Sequence, residues 1–195
     1  ARGPPRGRVP GAQLTAAGAP RYPRGMDASA TLGVAVVGAG YWGPKLARNL
    51  AQHRATRLVA IVDPDLERAT AVASTYGDLP ALATLAEALQ NPAVQAVVLA
   101  TPVATHAALA RQALEAGRHV LVEKPLARTV AEAEALIALA AETGRCLMVD
   151  HTFCYTGAVR EMRRLVREGH LGDVLYFDSV RVNLGLFQSD VNVLW

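Results

Sequence analysis

The 195-residue chain is 51% hydrophobic, which suffices for one domain with a sizeable core, or one domain and part of another, and excludes a disordered polymer. Its formal charge of +3 is unevenly spread: residues 1–30 hold five arginines against Asp27, and the other 165 residues, with 15 basic and 16 acidic side chains, stand at −1. The folded part therefore lacks the positive excess that binds a nucleic-acid backbone, and no apolar run approaches the roughly 18 residues of a membrane span.

The leader, ARGPPRGRVPGAQLTAAGAPRYPRG, has no apolar stretch suited to a secretory signal and is expected to be disordered. The absence of acids before Asp27 admits an organelle transit peptide, but scarce hydroxyls and several prolines oppose an amphipathic helix. Met26, just before the first apolar run, fits instead a gene reading that includes upstream codons.

From Thr31 onward, β-branched runs alternate with Ala/Leu/Glu-rich stretches. Strands are predicted over 32–38, 57–63, 94–100, 118–123 and 145–150, with a short strand or turn and a helix over 78–90. Helices are predicted over 44–52, with Pro44 in the first turn, after Asp63 where Pro64 can open one, over 102–117 ended by Gly117, and over 129–144. Six strand candidates with helical crossovers make a doubly wound parallel sheet, a Rossmann-type α/β fold, over residues 31–150. Residues 151–195 then read as the start of a second α/β domain. A helix over 156–168 carries Val159, Met162 and Val166 on one stripe and stops at Gly169. DVLYFDSVRVNLG, 173–185, alternates as one long strand, with Val180, Val182 and Leu184 opposite Arg181 and Asn183. No later segment can pair with it, so the sequence reads as cut off inside its second domain.

VAVVGAGYWG, residues 34–43, places Gly38, Gly40 and Gly43 in the G-x-G-x-x-G spacing, with a strand leading in and a helix leading out. Gly38 permits the tight turn, Gly40 lets the backbone approach a pyrophosphate, and Gly43 allows close helix packing, while the helix N terminus attracts the negative charge. Tyr41 and Trp42, inside the spacing, are counted with the glycines as cofactor-binding. A plain strand-to-helix corner or a methyltransferase-type glycine loop is the competing reading. Asp63 ends the second strand 20 positions after Gly43, where a carboxylate grips a ribose and favours NAD over NADP; the sequence D-P-D-L-E also suits Asp63 as a helix N-cap. Arg68, one turn on, would soften that preference.

Thr101 and Pro102 suit either capping or ligand contact at a strand end, and His106 either a solvated helix position or a ligand. Glu123-Lys124-Pro125 follows an apolar strand on the sheet edge that holds the glycine turn. Lys124 is either surface charge or a group that polarises or protonates a substrate oxygen as hydride moves at the adjoining carbon. Cys146 fits a buried strand position and Cys154 a loop or helix entry. Neither has zinc-site spacing, a disulfide framework or an identifiable base, so a reducing, cytoplasmic setting is expected and no metal.

VAVVGAGYWGPKLARNL, LVAIVDPD, ATPVATH and GRHVLVEKPLA, in this order, resemble the Gfo/Idh/MocA family of NAD(P)-dependent sugar and polyol oxidoreductases over about residues 31–195. The resemblance implies a Rossmann domain followed by an α/β domain with a large open sheet, with the substrate between them. It implies Lys124 as a catalytic lysine, and Glu123, Thr101, Pro102 and His106 near the nicotinamide half of the cofactor. GYWGPKLARNL, DHTFCYTGAVR and RVNLGLFQSDVNVLW are similar to the branch that oxidises nucleotide-linked N-acetylhexosamines to 3-keto sugars. Members of the family continue past the position of Trp195 with a segment carrying an Asp and the His that takes the hydroxyl proton, and with the rest of the sheet that forms a homo-oligomer. A chain of this length is accordingly expected to turn over little substrate. A non-catalytic dinucleotide-binding module acting through a partner is the alternative.

Overall fold

The computed structural model of the chain describes residues 31–180. Strand β1 (Leu32–Val37) sets the architecture, because Val34 and Val36 point to one side, Ala35 and Val37 to the other, and all four are buried. A strand apolar on both faces needs helices on both faces, which a parallel sheet with helical crossovers supplies. The sheet has six strands in the order β3-β2-β1-β4-β5-β6, all pairs parallel, with β2 at Thr56–Val62, β3 at Ala81–Leu82, β4 at Ala96–Leu99, β5 at His119–Val122 and β6 at Leu147–Val149. The chain runs outward from β1 through β2 to β3, then returns to β4 on the other side of β1. The strand order thus reverses between β1 and β4, where ligands bind in doubly wound sheets.

On one face, Ala47 of α1 (Gly43–Gln52) and Ala69 and Ala73 of α2 (Leu66–Ala73) meet Val34, Val36, Ile61 and Val98. On the other, Leu85 and Ala88 of α3 (Leu85–Leu89), Ala113 and Leu114 of α4 (Val103–Glu115) and Leu136 of α5 (Val130–Glu142) join the cluster that holds Ala35, Val97, Leu99 and Val120. Thr84 with Glu87, and Thr129 with Glu132, form complete capping boxes at α3 and α5. Helix α2 starts two residues later than Pro64 would have it: Asp65 is its N-cap, accepting from the Arg68 N–H at 3.2 Å. Cys146, expected to be buried, is exposed, because β6 begins only at Leu147.

The chain divides into two compact units after Asp150. In the second, a 3-10 turn (Thr152–Tyr155) precedes α6 (Gly157–Arg167), and Gly169, with φ +74°, follows its end. The strand expected over 173–185 is not formed through residue 180: the alternation of apolar side chains persists, but no described segment offers it a hydrogen-bonding edge. Residues 181–185 of that stretch, the leader and the remaining C-terminal residues lie outside the described residues.

Leu114 is fully buried and Ile137, on α5, is 58% exposed. Leu114→Ala is expected to cost about 2–5 kcal/mol through lost contacts and a residual cavity, whereas Ile137→Ala stays within about 0.5 kcal/mol. Urea unfolding of the two variants beside the wild-type chain measures the difference.

Candidate functional site

At the carboxyl edge of the sheet, one residue from each of five neighbouring strand ends continues the ladder by a further rung. The N–H of Asp63 donates to Leu82 O (3.0 Å), Gly38 to Val62 O (2.7 Å), Ala100 to Val37 O (2.8 Å), Glu123 to Leu99 O (2.9 Å) and Asp150 to Val122 O (2.8 Å). Asp63, Gly38, Ala100, Glu123 and Asp150 therefore lie in one row. Gly38, at the head of the glycine turn, stands between Asp63 and Ala100, and Glu123 and Asp150 close the other end of the row.

The three glycines of the turn serve different needs. Gly38 has φ +98°, and a Cβ on it would stand 2.4 Å from Ala100 O; a Cβ on Gly43 would stand 1.8 Å from Gly38 O. Both positions are thus dictated by the protein's own packing. A Cβ on Gly40 would meet nothing within 4 Å, so no internal contact demands glycine there. Trp42 is the N-cap of α1 but supplies no side-chain cap, and the first turn holds no acid; α4 and α6 share this, whereas α2, α3 and α5 carry side-chain caps. The positive end of α1 is left open to an anion. Tyr41 and Trp42 are both about half exposed and meet edge to face at 5.3 Å, with the Lys45 ammonium 3.0 Å from the Tyr41 ring centre and 4.5 Å from that of Trp42.

Asp63 is buried, and it does not cap α2. Its Oδ2 accepts from the Ala39 N–H at 2.7 Å, inside the glycine turn, and its Oδ1 accepts from the Asp65 N–H at 2.9 Å. Arg68 approaches the same Oδ1 at 3.3 Å and Asp65 Oδ2 at 2.9 Å. A buried carboxylate needs such partners to offset its desolvation.

After β4, Pro102 is the N-cap of α4, and Thr101 does not cap: Thr105 Oγ1 lies 2.8 Å from both Thr101 Oγ1 and Pro102 O. His106 is 1% exposed, so it is neither a solvated helix residue nor open to a ligand. Its Nδ1 lies 2.8 Å from Pro125 O and its Nε2 2.8 Å from Thr101 O, which ties the turn after β4 to the turn after β5. Neutral imidazole carries one N–H and donates to one of these carbonyls; donation to both takes the doubly protonated ring.

Lys124 is exposed at the end of β5, and its bond to Pro125 is cis. The Glu123 carboxylate accepts from the Lys124 N–H at 3.2 Å. Desolvation, then the charge of Asp150 and a hydrogen bond to it, hold the Glu123 carboxyl above its ordinary value despite Lys124 beside it. Asp150 is a site residue that the sequence reading passed over; its signal was the β5–β6 pairing, which sets two strand-ending acids side by side. Among the described residues no cluster of His, Cys, Asp and Glu could hold a metal ion, and no helix is long and apolar enough to cross a membrane.

The model of the Gfo/Idh/MocA oxidoreductases, described as an oxidoreductase family with an NAD-binding Rossmann fold, matches residues 32–151. The chain belongs to this family. It is 37% identical over 155 residues to inositol 2-dehydrogenase 1 of Saccharopolyspora erythraea, covering 77% of this chain and 41% of that protein. Among solved structures it is similar to GenD2 from gentamicin A biosynthesis in complex with NAD, at 38% identity and TM-score 0.70, covering 76% of this chain and 42% of that one. It is also similar to the WlbA dehydrogenase of Bordetella pertussis in complex with NADH and UDP-GlcNAcA, at 26% identity and TM-score 0.68, covering 73% and 43%. The chain thus spans about two fifths of the length of these relatives and carries the NAD-binding Rossmann fold of the family.

Two predictions follow from the geometry. Gly43→Ala is expected to destabilise the fold by more than about 2 kcal/mol, because backbone blocks the added carbon, while Gly40→Ala leaves the urea midpoint within about 0.5 kcal/mol of wild type. Glu123 binds its proton more tightly in the folded chain than in the unfolded one. Stability therefore falls as pH rises from the ordinary carboxylate range through the raised Glu123 value. Glu123→Gln removes that share of the fall, seen as a flatter plot of urea midpoint against pH.

Proposed function

We propose that residues 31–150 bind NAD in an oxidoreductase that moves a hydride between the hydroxyl-bearing carbon of a sugar or nucleotide sugar and nicotinamide. The observation that carries this reading is the cradle at the end of β1. An uncapped helix terminus, a glycine with open space around it and a buried carboxylate stand together at the carboxyl ends of β1 and β2. The residues fit the coenzyme: Gly38, Gly40 and Gly43 with the first turn of α1 would take its diphosphate, Tyr41 and Trp42 would flank it, and Asp63 would meet the adenosine ribose. The similarity to GenD2, described with NAD, and to WlbA, described with NADH, supports this.

When bound, NAD supplies the hydride acceptor or donor; the proton is left to the protein. Lys124, at the carboxyl end of β5, is the group proposed to hold or polarise the substrate oxygen. Glu123, beside it, has its carboxyl raised above the ordinary value by desolvation and by the charge of Asp150 on the neighbouring strand end. Thr101 and Pro102 border the nicotinamide half in this assignment, and His106 acts behind them by fixing both turns. A sugar or nucleotide-sugar substrate is supported by the names of similar proteins, an inositol dehydrogenase and a dehydrogenase crystallised with UDP-GlcNAcA.

The test is a fluorescence titration of the chain with NADH. Saturable binding is expected, weakened at least about tenfold by Gly40→Val, which fills the open space, and by Asp63→Arg, which breaks the tie to Ala39. Absence of NADH binding by the folded wild-type chain would sink the reading.

A further inference from the structure

The end of β2 holds an arrangement more elaborate than coenzyme binding needs. One guanidinium, Arg68, is shared by two carboxylates: Nη2 lies 3.3 Å from Asp63 Oδ1 and Nε 2.9 Å from Asp65 Oδ2. The two acids are not equivalent. Asp63 is buried and both its oxygens are taken by backbone N–H groups, of Ala39 at 2.7 Å and Asp65 at 2.9 Å, so it is a fixed part of the glycine turn. Asp65 is half exposed and its two oxygens do separable work. Oδ1 caps α2 through the Arg68 N–H at 3.2 Å, while Oδ2 only holds the guanidinium. Serine or asparagine can keep the first function without the charge of the second.

NAD and NADP differ at one place, the 2′-phosphate on the adenosine ribose, and in this fold that ribose lies at the end of the second strand. A carboxylate there repels the phosphate, and an arginine nearby accepts it. Here the arginine is present but occupied by Asp63 and Asp65, and Glu67 adds another negative charge to the same first turn. On the reading that this site holds NAD, we propose that Asp65 is the coenzyme-selectivity residue: it excludes NADP by engaging Arg68, and its removal frees Arg68 for a 2′-phosphate. Asp63, which the position in the strand singles out, is the wrong lever, because replacing it dismantles the turn that receives either coenzyme.

The experiment is a pair of titrations, with NADH and with NADPH, on the full chain as wild type, Asp65→Ser, Arg68→Ala and the double variant, each checked for folding by its urea midpoint. Asp65→Asn serves if the serine variant does not fold. Asp65→Ser is expected to lower the ratio of NADPH Kd to NADH Kd by about tenfold, the effect of one charge-assisted hydrogen bond from the freed guanidinium to the 2′-phosphate. Arg68→Ala is expected to raise that ratio, and the double variant to lose the whole gain. A ratio unchanged in Asp65→Ser, or a gain that survives without Arg68, overturns the assignment of selectivity while leaving the coenzyme reading intact. Failure of the wild-type chain to bind NADH overturns both.

Discussion

The bond from the Ala39 N–H to the buried Asp63 carboxylate joins the two halves of the site. Burying a carboxylate is costly unless its oxygens are matched, and here two backbone N–H groups and one guanidinium match them. The same bond draws the glycine turn toward the end of β2, so the turn and the strand end become one rigid object. Gly38 and Gly43 are consequences of that closeness: side chains at either position would strike backbone oxygen.

A second tie operates across the strand reversal. His106, on α4, reaches the carbonyls of Thr101 and Pro125 and so joins the turns that follow β4 and β5. Lys124 is the neighbour of one anchored residue, and its backbone is held by Pro125 on one side and by the Glu123 rung on the other. The backbone from which this exposed lysine rises is thus fixed by a buried imidazole and a strand-end acid.

Local rules of helix formation are kept throughout α2, α3 and α5, each with a side-chain cap and an acid in the first turn. Helices α1, α4 and α6 have neither, and α1 adds a lysine in the first turn lying over two half-exposed aromatic rings. A cation at a helix N terminus is unfavourable for the helix alone. Departures of this kind concentrate where a protein meets a ligand, and Gly40, around which an added side-chain carbon would meet nothing, lies beside this one.

Apolar patterning indicated the strands, the crossover helices and the parallel sheet, leaving β3 as a short strand or turn, since central strands buried on both faces have few ways to fold. The glycine spacing, the acid at the end of β2 and the Glu-Lys-Pro turn were equally legible, because each is a short run whose geometry is local. What only the tertiary structure decided are the partnerships between runs distant in sequence. Asp63 binds Ala39 rather than capping its own helix, Asp65 takes the cap and the arginine, His106 is a buried strap, and Asp150 stands beside Glu123. The stretch after Asp173 shows the same limit from the other side, for its alternation reads as a strand, and through residue 180 it forms none. Periodicity states which face of a segment is apolar; a hydrogen bond across 24 residues, or a strand at all, exists only once another segment is brought alongside.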